Sequence, residues 1–202
     1  MPLAGKTRKD VVTEFREAEI LAAARHIFAQ RGFAEASMDE ISHAAGLAKG
    51  TLYLYYASKQ DLYRAALRAG IAELCETLEK GLQAAPTLAA RIEAYVTTKV
   101  AYFEQHRDFF QIYLAEFGNA ACGALNPDFQ DLAQRQKEVL ARAIREASKG
   151  RGIVAAEQAA HAISDLTRGV ILRRLMGWSD AARVKREVTF VVDFARRALG
   201  CR

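Results

Sequence analysis

Residues 37–59 read S-M-D-E-I-S-H-A-A-G-L-A-K-G-T-L-Y-L-Y-Y-A-S-K, and no other stretch constrains the fold of this chain as strongly. Ser37 followed three residues on by Glu40 is a capping box: the hydroxyl accepts from a helix-start N–H, and the carboxylate reaches back. Ile41, Ala44 and Ala45 then supply a short buried face. Gly46 falls where the first helix must stop, because a left-handed residue is cheapest as glycine. Leu47 plugs the gap between helices, and a second short helix starts at Lys49, with Leu52 and Tyr56 on its inner face. Lys49, Gly50, Thr51, Tyr53 and Tyr55 are left facing outward. That set is poor core material and suits a DNA groove. Lysine neutralises phosphate, threonine and tyrosine hydroxyls bond phosphates or base edges, and glycine lets the backbone come close. The stretch therefore predicts a helix-turn-helix with Lys49 to Tyr55 as its recognition helix.

The flanks fit the same plan. A first helix from about Thr13 to Arg31 carries Ile20, Ala24, Ile27 and Phe28 at helical spacing; Gly32 ends it and Phe33 packs back. His26 on this helix reads as a structural residue. Ser58-Lys59-Gln60-Asp61 opens another capped helix, and Lys59 stands where it could grip a phosphate beside free N–H groups. The candidate DNA contacts are thus Ser37, Lys49, Gly50, Thr51, Tyr53, Tyr55 and Lys59. Residues 1–11, with Lys6, Arg8 and Lys9, read as a flexible basic arm, either a plain tail or a segment that touches the minor groove.

The run A-A-G-L-A-K-G-T-L-Y-L-Y-Y-A-S-K-Q-D-L, Ala44 to Leu62, resembles the signature of the TetR family of bacterial transcription regulators. Ile20 to Phe33 is similar to that family's first helix and its Gly-Phe stop. The likeness covers roughly residues 15–65, about a quarter of the chain. Two positions depart from the family pattern. Ala48 replaces the usual Ser or Thr, so the recognition helix has no side-chain cap, a loss of about 1 kcal/mol in general. Ser42 stands where a small Ala is usual. The resemblance implies a one-component regulator, a repressor released by a small molecule bound in the C-terminal part.

With 202 residues, 51% hydrophobic and 26% charged, the chain is long enough for one small and one larger globular unit. Helix formers dominate, prolines number three, and β-branched alternation is scarce, so the expected class is all-α with about nine helices. Residues 12–60 make the three-helix DNA-binding domain, residues 61–85 a connecting helix, and residues 86–202 a larger effector-binding and dimerisation domain. Pro86 and Thr87 form the break after the connecting helix. Asn126-Pro127 starts helix seven, Lys149-Gly-Arg-Gly stops it, and Ser179 is the expected cap of the last helix. The net charge of +5 is not concentrated at the helix-turn-helix, since residues 1–64 hold nine Lys/Arg against eight Asp/Glu. Non-specific attraction to DNA is then modest, and binding leans on geometry.

The last two helices each carry an apolar stripe that a lone pair of helices buries only in part. Ile163, Leu166 and Val170 on one, with Val184, Val188 and Val191 on the other, are the candidate dimer interface, completing a four-helix bundle with a second copy. The alternative is that both stripes pack onto helices five to seven. A homodimer would set two recognition helices against a pseudo-palindromic operator. The aromatic group Tyr95, Tyr102, Phe103, Phe110, Tyr113 and Phe117, with His106, is either core or, as the resemblance implies, the lining of an effector pocket for an apolar or aromatic small molecule.

No phosphate loop, paired metal-binding histidines or Gly-x-Ser-x-Gly element is present in the sequence; no enzyme, metal site or cofactor is expected. Cys75, Cys122 and Cys201 lack metal spacing and read as reduced thiols in a cytoplasm. No signal-peptide run and no membrane-length apolar segment is expected. The expected partners are an operator duplex, a second copy of the chain and a small-molecule effector. Two other readings stay open: a thiol- or partner-responsive DNA-binding regulator, and a helical interaction protein whose helix-turn-helix does not read DNA.

Overall fold

The computed structural model describes residues 7–121, 127–147 and 153–201. Among the described residues there are nine helices and no strand: α1 Arg8–Glu35, α2 Met38–Ala44, α3 Lys49–Tyr55, α4 Lys59–Ala84, α5 Leu88–Gln105, α6 Arg107–Ala121, α7 Pro127–Ala147, α8 Ile153–Leu175 and α9 Ala181–Ala198. None of the described helices is long and apolar enough to cross a membrane.

The start of α1 differs from expectation. Thr7 and Asp10 make a capping box, with the Asp10 N–H donating to Thr7 Oγ1 at 3.2 Å and the Thr7 N–H to Asp10 Oδ2 at 2.8 Å. Residues 8–11, assigned above to a flexible arm, are therefore the first turn of a helix. The T-x-x-D spacing carries this signal, and the basic residues around it mask it. At the other end, Gly32 breaks the helix with φ of 74°, which a Cβ would strain.

The chain packs as two compact units. One comprises Met1–Gly70 and Asp108–Leu125, the other Ile71–Arg107 and Asn126–Arg202. This division departs from the boundaries at 60 and 86. Almost all of α6 belongs with the helix-turn-helix. The reason lies in its side chains: Phe109, Phe110, Ile112 and Tyr113 are buried. Phe109 lies so close to Gly70 that a Cβ there would stand 2.3 Å from its ring. Asp108 meets His26 at 2.8 Å, and the Tyr63 hydroxyl donates to Glu116 Oε1 at 2.8 Å. Ile20, Ala24 and Phe28 of α1, Leu52 of α3 and Leu62 of α4 are all buried, and Tyr63 sets its ring edge-on to Phe28 at 5.0 Å.

The second unit holds the rest of α4 with α5, α7, α8 and α9. Leu74, Leu78, Ile92, Val96, Leu140, Ile163 and Val192 are among its buried side chains. Lys99 is buried there as well, its ammonium donating to Ser164 Oγ at 2.9 Å and to the Tyr95 hydroxyl at 3.2 Å. Arg174 of α8 donates to Glu104 of α5 at 2.6 Å. Thr87 caps α5 as expected, its Oγ1 accepting from the Ala90 N–H at 3.1 Å. The cap of α9 is Asp180, not Ser179: the Arg183 N–H donates to Asp180 Oδ1 at 2.7 Å, and Ser179 is buried. A carboxylate at that position also favours the helix dipole, which a serine does not. Asn126 and the Lys149-Gly150-Arg151-Gly152 stop lie outside the described residues.

Candidate DNA interface

Helix α2 starts as its sequence dictates. The Glu40 N–H donates to Ser37 Oγ at 3.1 Å, and the Ser37 N–H and hydroxyl both donate to Glu40 Oε2. Ser37 is thereby occupied in holding the helix start. The buried face differs from the expected one: Met38, Ile41 and Ser42 are buried, while Ala44 is exposed and Ala45 half-buried. Positions 38, 41, 42 and 45 follow the three- and four-residue step of one helix face, and 44 falls off it. Ser42 is satisfied there by donating to the Asp39 carbonyl at 2.9 Å. Gly46 then takes φ of 66° and turns the chain, with the Leu47 N–H donating to the Ser42 carbonyl at 2.8 Å.

Helix α3 is anchored by one fully buried side chain, Leu52. Ala48 precedes it with extended dihedrals and makes no side-chain cap. Lys49 and Gly50 are exposed, and open space surrounds the position of a Gly50 Cβ. Tyr53 is exposed, while Thr51, Tyr55 and Tyr56 are half-buried. Leu54, absent from the expected outward set, is 86% exposed. Its position is two residues beyond Leu52, about 200° around the helix, and that offset was the available signal. An outward leucine offers a methyl-bearing contact of the kind thymine accepts in the major groove.

Both lysines of the candidate set are engaged by groups of the protein itself. Lys49 Nζ lies 2.8 Å from Asp39 Oδ2, and this hydrogen bond raises the lysine's pKa above its usual value. Lys59 Nζ donates to the Ala34 and Ala36 carbonyls, both at 2.9 Å.

The other candidate sites sort differently. Of the effector-pocket residues, Tyr95, Tyr102, Phe103 and His106 fall in one unit and Phe110 and Tyr113 in the other. Tyr102 packs against Phe103 at 5.7 Å and His106 at 4.3 Å, and Tyr95 is fully buried. The side chain of Phe117 lies outside the described residues. A cleft of about 240 Å³ in the second unit is walled instead by Arg91, Arg142 and Glu79, with Arg142 and Glu79 paired at 2.6 Å.

Of the expected interface residues, Ile163, Val170, Val184 and Val191 are buried within the protomer. Leu166 stays 37% exposed and Val188 is half-buried. Phe190 and Phe194, absent from the expected set, are 66% and 52% exposed and stack at 6.3 Å. Their four-residue spacing on the outer side of α9 was the signal that could have found them. With Leu166 and Val191, Phe190 borders a groove of about 590 Å³, flanked by Arg173 and Glu187. No group of three or more His, Cys, Asp or Glu placed to hold a metal occurs among the described residues.

Comparison with known proteins bears on this geometry. Residues 20–66 match the family described as bacterial regulatory proteins, tetR family. The transcriptional activator FasR of Mycolicibacterium smegmatis is 30% identical over 97 residues, 48% of this chain and 44% of that protein. The transcriptional repressor KstR2 of Rhodococcus jostii is 29% identical over 128 residues, 58% of this chain and 61% of that protein. The chain thus spans less than two thirds of the length of either relative. A TetR-like regulator from Rhodococcus sp. RHA1 superposes with a TM-score of 0.70 at 25% identity, covering 93% of this chain and 97% of that one.

Proposed function

We infer, from a chain that belongs to the tetR family of bacterial regulators, that this protein is a sequence-specific repressor acting as a homodimer on a pseudo-palindromic operator. One observation carries the reading: α3 is fixed through Leu52 and turns Lys49, Gly50, Tyr53 and Leu54 outward on a helix of only seven residues. Such a helix buries too little to be a core element and suits insertion into a major groove. Repression asks only that the operator be occupied. Of the two relatives named above, KstR2 is a repressor and FasR an activator.

The second copy would cover Phe190, Phe194 and Leu166, an apolar patch on α8 and α9 that the protomer leaves open to water. A small apolar or aromatic molecule would release the dimer from DNA by binding more tightly to a form that does not fit the operator. The aromatic richness of α5 and α6 supports that choice of ligand. Tyr95 and Phe103 are tightly packed, so such a ligand would enter by favouring a rearranged core. The proposed setting is the cytoplasm, where the operator is.

A thiol-responsive mechanism draws no support from the described cysteines. Burial pushes the thiols of Cys75 and Cys201 upward, away from the reactive thiolate. Cys122 lies outside the described residues. The reading without DNA recognition is favoured by one observation, the engagement of both Lys49 and Lys59 by groups of the protein itself. Selection of purified protein against random duplex DNA at about physiological salt separates the two. Enrichment of a pseudo-palindrome establishes the regulator. A folded dimer that enriches nothing establishes the interaction protein.

A further inference from the structure

We propose that Leu54 sets base specificity at the middle of the recognition face by reading the C5 methyl group of thymine. The proposal rests on the reading of α3 as the recognition helix and names what that helix reads. The anchor of α3 is Leu52, which is fully buried. Gly50 and Leu54 stand two residues before and after it. Each lies about 160° around the helix axis from the anchor, in opposite senses, so the two share the line that faces directly away from the core. Tyr53 is only about 100° from the anchor, and Lys49 about 60°. Lys49 is also engaged by Asp39 at 2.8 Å. The most outward line of α3 therefore carries one residue without a side chain and one leucine.

The two residues act together. Open space surrounds the position of a Gly50 Cβ, so nothing at that position holds a duplex away from the leucine one turn further on. No other large apolar side chain among the described residues is as exposed as Leu54, at 86%. A leucine has no donor or acceptor, so it cannot read the hydrogen-bonding edge of a base. The apolar group that the major groove offers is the thymine methyl, which no other base carries. Any other base at that place would turn a polar edge toward the leucine, losing water without gaining a partner. The side chain thus favours thymine by an apolar contact and disfavours the alternatives by desolvation.

The test uses the full chain and the duplex that the wild type enriches from random DNA. Each thymine is replaced in turn by deoxyuridine, at the matching position of both half-sites. This change removes the methyl group and leaves the pairing with adenine intact. At one position the affinity of the wild type should fall by about fourfold for each half-site, the effect of one buried methyl, and by about fifteenfold for the pair. Leu54→Ala should bind the unmodified duplex more weakly by a similar factor and lose little more from the same replacement. The fold should survive the change, because the side chain is exposed rather than part of the core. Circular dichroism checks this, and the wild-type arm needs no variant.

A wild type that enriches a palindrome yet binds every substituted duplex as tightly as the parent overturns the proposal alone. So does a Leu54→Ala chain that loses as much as the wild type from the same replacement, because the methyl is then read by another residue or through duplex stiffness. A folded protein that enriches no duplex overturns the DNA-recognition reading, and this proposal with it.

Discussion

Lys49 reaches Asp39 across the helix-turn-helix at 2.8 Å, so a phosphate must compete with a carboxylate for it. Both side chains are more than half exposed, and an exposed pair of this kind contributes little to stability. Its effect falls on DNA binding. Asp39→Asn should release Lys49, tighten binding to random duplex and steepen the salt slope by about 0.9, one added phosphate contact. Fluorescence anisotropy across a salt series reads this directly, and an unchanged slope would place Lys49 away from the backbone. Gly70 is set by a different constraint, the Phe109 ring lying where its Cβ would be. Gly70→Ala should destabilise the protein by about 1–3 kcal/mol through overpacking, seen as a lowered Tm. Neither effect follows from residue type. Lys49 was legible as an outward cation, but its partner ten residues earlier was not, and Gly70 stood in the sequence as an ordinary interruption of an amphipathic helix.

At the scale of elements, capping rules governed what could be read and where reading failed. Ser37 with Glu40, Ser58 with Asp61 and Thr87 at the start of α5 all bond as their spacing implies. The same rule, applied to Thr7 and Asp10, would have found the true start of α1. Where it leaves a gap, it makes a prediction. Ala48 already has the extended dihedrals of a cap residue, φ −68° and ψ 144°, without the oxygen to act as one. Ala48→Ser should therefore stabilise α3 by about 1 kcal/mol. Amide exchange of Gly50 and Thr51 should slow; no slowing would show that the helix start is held by other means. The buried face of α2 eluded the sequence because two alanines looked more apolar than a serine. Burial followed the helical step, and Ser42 met its hydrogen-bonding need within its own turn.

At the scale of the whole molecule, the proposed function turns on assembly. The inner sides of α8 and α9 are consumed by the protomer, leaving Phe190 and Phe194 on the outer side of α9. Phe190→Glu places a charge on the proposed contact and should convert a dimer to a monomer with little loss of helix content. Sedimentation and circular dichroism together check this. A dimer that persists would move the interface elsewhere. Loss of the dimer should also abolish selection of a palindrome, since two half-sites are read only when two recognition helices are held at one spacing.

The sequence by itself determined the local grammar: an all-α chain, the order of its helices, and the helix-turn-helix with part of its outward face. Those features depend on caps, glycine turns and periodicity, which act over three to seven residues. Only the tertiary structure decided the rest. It assigned α6 to the N-terminal unit, engaged Lys49 with Asp39 and Lys59 with two carbonyls, and divided the last two helices between core and open surface. Each of these depends on which groups meet across separations of ten to more than eighty residues, from Asp39 and Lys49 to His26 and Asp108. Periodicity states that a face is apolar; packing chooses what covers it.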